Sequence, residues 1–301
     1  MSEGNLPSGI LAPVATIFGA DGEVDLPSFA NNLEFYSRSA LDGVVLLGSN
    51  GEFATLSDKE RLKIVETGTS TVAGRKTVMA GTGAESTAAT IRATRAAAEL
   101  GIDYALIVTP HYYKTRYDHR AYVNHYLKVA EASPVPILIY VMAAYTGVDL
   151  STATITELSS HPNIVGVKDS GGNAAKVGEI LAGCDPNFAV LAGSSSFIYG
   201  ALCLGATGGI LALGNVAPNE CARIMQLWKA GDHDAARALQ LRMIGPNAAV
   251  TSRYGIGGLK VALDWVGLAG GPPREPLLPL TETERQAVIT ALTEADLGPV
   301  N

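Results

Sequence analysis

Cysteine is scarce in this chain of 301 residues: only Cys184, Cys203 and Cys221 are present. Three are too few for a disulfide framework or a cysteine-built zinc site. Such usage suits a reduced, cytoplasmic protein. Charge is also sparse, at 17% of residues. Lys and Arg number 22 against 29 Asp and Glu, a net charge of −7, with no basic block. That balance argues against a nucleic-acid partner. The mild acidity names no partner, and an anionic substrate would need local positive groups or backbone N–H donors. The N-terminus lacks a basic stretch followed by an apolar core, so no secretory signal is read. No apolar run reaches the ~20 residues of a membrane span. His111, His119, His125, His161 and His233 have no metal-ligand spacing, so surface or packing roles are expected and no metal site. A Gly-x-Ser-x-Gly elbow, a His-Glu-x-x-His motif and a P-loop are all missing, which weakens hydrolase, zinc-protease and nucleotide readings.

What the chain does have is apolar residues, 47% of the total, enough for one large domain or two small ones. Eight short apolar runs, 11–18, 43–49, 77–83, 104–110, 136–142, 164–170, 188–194 and 208–213, alternate with helical patterns. Ser57 and Glu60 form a capping box, Ser86 can cap the alanine-rich segment that follows, and Gly101 suits its end. Eight strand–helix units in sequence predict a TIM (β/α)₈ barrel over residues 1–215. A doubly wound sheet is the alternative, but no Gly-x-Gly-x-x-Gly follows the first strand. Residues 216–301 read as a helical extension packed on the barrel. It should hold helices at 219–230 and 232–244, the second ended by Gly245-Pro246, and a last one capped by Thr281 and Glu284. Gly255-Ile256-Gly257-Gly258-Leu259-Lys260 reads as a turn before a helix, and 270–279 as a Gly/Pro-rich connection.

Barrel chemistry lies at the C-terminal ends of the strands. Strand six reads Ile164-Val165-Gly166-Val167-Lys168-Asp169, so Lys168 stands at the end of a buried strand. A lysine there either snorkels outward or loses its charge and becomes a nucleophile toward ketones. By alternation Ile164, Gly166 and Lys168 share a face, and Leu138 shares one with Tyr140. If that face is the interior, Tyr140 and Lys168 are neighbours, and Gly166 leaves room for a neighbouring side chain. A phenol beside a neutral amine can shuttle protons for imine formation. Taken singly, Tyr140 reads better as a core tyrosine with a bonded hydroxyl; the pair is more informative than either member. Gly48-Ser49-Asn50-Gly51-Glu52 can form a turn with exposed N–H groups that holds a carboxylate, or an ordinary polar turn.

Together with Val108-Thr109-Pro110-His111-Tyr112-Tyr113 and Ala192-Gly193-Ser194, these residues resemble the pyruvate-dependent class I aldolases of the dihydrodipicolinate synthase and N-acetylneuraminate lyase family. The likeness covers essentially the whole chain. Within the family it is greatest to 4-hydroxy-2-oxoglutarate aldolase, through His161-Pro162-Asn163-Ile164-Val165-Gly166, Lys168-Asp169-Ser170-Gly171-Gly172 and Pro246-Asn247-Ala248-Ala249-Val250-Thr251. The resemblance implies that Lys168 forms a Schiff base with a small-molecule 2-oxo acid and that Tyr140 transfers protons. The N–H groups of Ser49 and Asn50 would hold the pyruvate carboxylate. The Ser49 hydroxyl would link Tyr140 to Tyr112, the latter supplied by a neighbouring subunit of a homotetramer. Ser170 and Gly193 would complete the pocket. No cofactor and no metal are implied. Tyr145 stands where the synthases carry an arginine for the second substrate's carboxylate, which favours the aldolases over the synthases. The apolar run Val141, Met142, Ala143 and Ala144 beside the site suits an apolar or aromatic aldehyde.

Overall fold

The computed structural model describes residues 6–299. Its strands are β1 (Gly9–Pro13), β2 (Gly43–Leu46), β3 (Thr77–Gly81), β4 (Tyr104–Val108), β5 (Ile137–Val141), β6 (Ile164–Asp169), β7 (Ala189–Ala192) and β8 (Gly208–Ile210). All pair in parallel in chain order, and β8 closes onto β1 by pairing Gly208 with Gly9 and Ile210 with Leu11. The fold is therefore the TIM barrel read from the sequence. The first run is displaced: β1 begins at Gly9 and ends at Pro13. Its partner β2 stops at Leu46, so Val14, Ala15, Ile17 and Phe18 are buried beyond the sheet.

Alternation sorts each strand into two layers. Leu11, Val45, Met79, Leu106, Leu138, Leu191 and Ile210 meet inside the barrel. Their neighbours, among them Ile10, Val44, Ile107, Ile139 and Val190, pack outward against the helices. Between Leu138 and Leu191 on the flanking strands, β6 contributes Gly166 and Lys168.

A register shift between β5 and β6 pairs Ile137 with Ile164 but Leu138 with Gly166. The extra residue, Val165, packs toward the interior cluster, whereas Ile164 joins the outer one. The expectation that Ile164 shares the face of Lys168 is thus overturned by one bulge. The room beside Gly166 is taken by Ala189 of β7: a Cβ there would stand 2.6 Å from its backbone oxygen and 2.9 Å from its Cβ.

The helix Asp58–Val72 opens with the Ser57–Glu60 capping box, and Ser86 caps Thr87–Glu99. Past β8 come helices Pro218–Lys229 and His233–Arg242. Gly245-Pro246 does not end the helical path. Ile244–Ala248 is a further helix that runs into a π-helical turn, Ala249–Arg253. Pro246 falls in the first turn, where a missing N–H costs nothing. Nor is the glycine-rich stretch a turn: it forms the start of helix Gly255–Trp265. A Cβ on Gly258 would meet the Ala249 oxygen at 2.2 Å, so glycine there permits close packing. Thr281 and Glu284 box the last helix, Glu282–Thr293. Among the described residues no helix is long and apolar enough to cross a membrane.

Candidate active site

The register pairs Tyr140 with Lys168 at the C-terminal ends of β5 and β6. Lys168 is 4% exposed, and its Nζ lies 4.1 Å from the centroid of the Tyr140 ring. Among the described residues no carboxylate lies within ion-pairing distance of it. Burial alone lowers its pKa from the ordinary 10.5 to about 7. Asp169, next in sequence, points to the other side of the strand. Its Oδ2 lies 2.8 Å from Lys176 Nζ, and its Oδ1 accepts from the Gly171 N–H at 2.8 Å. Lys176 also pairs with Asp149. The acid that could have neutralised Lys168 is thus committed elsewhere.

A second buried lysine shows what pairing changes. Lys260 is 1% exposed, but its Nζ lies 3.1 Å from Glu52 Oε1 and donates to the carbonyls of Thr16 (2.8 Å) and Gly270 (3.3 Å). Burial lowers its pKa and Glu52 opposes that. Its donors are used, so it serves the fold, whereas the amine of Lys168 is available for chemistry.

Tyr140 is buried, which raises its phenol pKa; the hydrogen bond with Ser49 works against that rise. Ser49 Oγ and Tyr140 Oη are 3.2 Å apart. Ser170 stands near enough to lower the phenol further, yet its buried Oγ has no partner in hydrogen-bonding geometry. Ser49–Gly51 is a single 3₁₀ turn after β2, and its first N–H groups find no acceptor within the turn. Leu47 (φ 54°) and Glu52 (φ 53°) flank it in the left-handed region, a costly conformation for side chains of this size. Glu52 is held there by Lys260 and by the Arg274 N–H, which donates to Oε2 at 2.8 Å. Arg274 further pairs with Glu60 at 2.6 Å and donates to the Thr55 carbonyl at 3.1 Å.

Lys168, Tyr140, Ser49, Asn50, Ser170, Gly193 and Tyr145 line one open cleft of about 630 Å³. Gly193 is there by necessity: a Cβ would lie 2.1 Å from Ser170 Oγ. Tyr145 sits on the short helix Ala143–Thr146, facing the cleft with Met142 and Ala144. Val141 packs outward instead. Tyr112 is not brought to this site. It is 77% exposed on the loop after β4, its ring edge-on to Tyr113 at 5.0 Å. The sequence reading missed the Glu52–Lys260–Arg274 cluster and the Asp169–Lys176–Asp149 cluster. It also missed Asn247, whose Nδ2 donates to Ser194 Oγ at 3.1 Å on the cleft wall. One signal was present: an aspartate beside a strand lysine must face the other way and needs its own cation.

The model of the dihydrodipicolinate synthetase family matches residues 6–295. The chain belongs to that family. With that membership it is an enzyme, a carbon–carbon lyase of the pyruvate-dependent aldolase class. It is 34% identical to a probable mitochondrial 4-hydroxy-2-oxoglutarate aldolase of Emericella nidulans, covering 98% of this chain and 97% of the relative. It is 36% identical to the 4-hydroxy-tetrahydrodipicolinate synthase of Xanthomonas campestris, covering 93% and 92%. Among solved structures, the Escherichia coli prophage protein YagE, determined in complex with pyruvate, superposes with a TM-score of 0.91 at 29% identity, over 96% and 99% of the two chains. Relatives at similar identity thus carry two different names.

Proposed function

We propose that the protein cleaves a 4-hydroxy-2-oxo acid, such as 4-hydroxy-2-oxoglutarate, to pyruvate and an aldehyde through a Schiff base on Lys168. The observation that carries this is the unpaired, buried amine of Lys168 in register with Tyr140. The neutral amine adds to the C2 carbonyl, and loss of water leaves a protonated imine. Removal of the 4-hydroxyl proton breaks the C3–C4 bond, whose electrons pass into the iminium as the aldehyde departs. The resulting enamine takes a proton at C3, and one water releases pyruvate and restores the amine. Tyr140 moves the protons, and Ser49 links its phenol to the relay. The N–H groups of Ser49 and Asn50 hold the pyruvate carboxylate, for which an opened 3₁₀ turn is suited. Ser170 and Gly193 shape the seat.

Tyr112 reaches a neighbour's site in a homotetramer of tight dimers; its exposure, and that of Tyr113, leaves an aromatic pair for a second copy to cover. Glyoxylate is the aldehyde released from 4-hydroxy-2-oxoglutarate. The Emericella relative supports that substrate, and Tyr145 on the cleft in place of a cation supports an aldolase over a synthase. The test is borohydride reduction in the presence of pyruvate, with peptide mapping. An adduct on Lys168 that is absent from Lys168→Ala is expected, and pyruvate binding without an adduct would leave only an oxo-acid-binding protein.

A further inference from the structure

Among the described residues three lysines are buried, Lys168, Lys176 and Lys260, against two acids, Glu52 and Asp169. Glu52 is matched by Lys260 and Asp169 by Lys176, which leaves Lys168 over. Lys176 has the wrong charge for its place. It lies in the first turn of the helix Ala174–Gly183, whose N-cap, Asn173, accepts from the N–H groups of Ala175 (3.0 Å) and Lys176 (3.2 Å). A helix dipole favours acids there and opposes cations. Lys176 is also 9% exposed, so the helix gains nothing from the charge it buries. What that charge meets is Asp169 on β6 at 2.8 Å and the largely exposed Asp149 on the loop after Ala143–Thr146. Burial works to lower the Lys176 pKa, but its hydrogen bonds to Asp149 and Asp169 outweigh that and raise it.

Asp169 follows Lys168 directly, and alternation puts the two side chains on opposite faces of one strand. Few other groups can act on that amine. Tyr140 flanks it on β5 and Leu191 on β7. Besides Lys168, the titratable groups lining the cleft are the phenols of Tyr140 and Tyr145. On the helices outside β6, Glu157 pairs with His119 at 2.8 Å and Glu179 is exposed. Without the Lys176 ammonium, the Asp169 carboxylate would keep its hydrogen bond from the Gly171 N–H, 2.8 Å long, but no buried cation. Its charge would then reach across the strand. Opposite charges about 10 Å apart, at an effective dielectric of about 20, move a pKa by about one unit. For an amine the movement is upward, toward the unreactive ammonium.

We propose that Lys176 is a positioning residue for the reaction, holding the Asp169 charge on the outer side of β6 so that Lys168 is left without a counter-ion. It acts through Asp169 and never on substrate, and the proposal rests on the Schiff-base reading above. The test is the pH at which borohydride trapping at limiting pyruvate reaches half its plateau rate. In Lys176→Gln that midpoint should rise by about one unit, which slows trapping about fivefold at pH 7. Lys176→Arg should return it to the wild-type value. Adding Asp169→Asn to Lys176→Gln should do the same, because the stranded carboxylate is gone. Circular dichroism checks each fold, and Lys176→Met takes the place of Lys176→Gln if the amide does not fold. A wild-type midpoint in the folded single variant overturns the proposal. So does a raised midpoint that Asp169→Asn fails to lower, since a loosened strand alone would give that. The wild-type adduct separates the two levels. No adduct removes the Schiff-base reading and this proposal with it, and an adduct with an unmoved midpoint removes only the role of Lys176.

Discussion

Replacing Lys168 with methionine should make the protein more stable. In the unfolded chain this amine titrates at its ordinary 10.5; in the fold, burial without a partner brings it to about 7. At pH 7 the unfolded state therefore holds more protons at this site than the folded one. Stability lost to the buried amine is then greatest below pH 7, shrinks as pH rises, and vanishes above 10.5. The gap between 10.5 and about 7, at 1.36 kcal/mol per pH unit, sets a ceiling of about 5 kcal/mol on that cost. Methionine keeps a similar length, carries no charge and sits against Leu138 and Leu191 without desolvation. Equilibrium urea unfolding of wild type and Lys168→Met, at matched protein concentration from pH 6.5 to 10, reads the difference. The variant should be more stable by several kcal/mol at pH 7, and the advantage should fade toward pH 10. A variant no more stable than wild type at pH 7, or an advantage independent of pH, refutes the argument that Lys168 is desolvated and unpaired.

Tyr140→Phe should slow turnover by about 10²–10⁴-fold, the span of general acid–base catalysis, and a near-normal kcat would take Tyr140 off the proton path. The rate of borohydride trapping at limiting pyruvate should rise with pH and level off just above 7, because the amine is then neutral; a rise continuing past pH 9 would mean an ordinary lysine. Glu52→Gln should cost about 3–5 kcal/mol in unfolding free energy by stranding the charge of Lys260, and the double variant with Lys260→Met should recover part of it. Tyr145→Arg should lower KM for dicarboxylic substrates, and an unchanged KM would place residue 145 away from the aldehyde.

The barrel was legible because each of its eight strands is a short apolar run between helical patterns. Tyr140 and Lys168 were legible as a pair because alternation along adjacent strands is strict near their C-terminal ends. Alternation failed at Val165, where one inserted residue exchanged the faces of Ile164 and its neighbour; Gly166 is its one local mark, since a glycine inside a strand often accompanies a bulge. Gly245-Pro246 misled because a proline stops a helix only when it falls beyond the first turn, and where a new helix starts is settled by packing. Lys260 and Glu52 are about two hundred residues apart in sequence, and Asn247 and Ser194 about fifty. Pairings at that distance are products of the closed fold, and local pattern carries no trace of them.

Arg274 and Lys260 give the turn at Ser49 a history as well as a position. The loop bearing Ser49 and Asn50 leaves the ribosome well before the groups that secure Glu52, which lie more than two hundred residues later. Until those residues emerge, Glu52 has no compensation for its left-handed backbone and should relax. The proposed seat for the carboxylate is therefore completed late, and a chain broken off after the eighth strand would carry Lys168 and Tyr140 without the groups that hold Glu52.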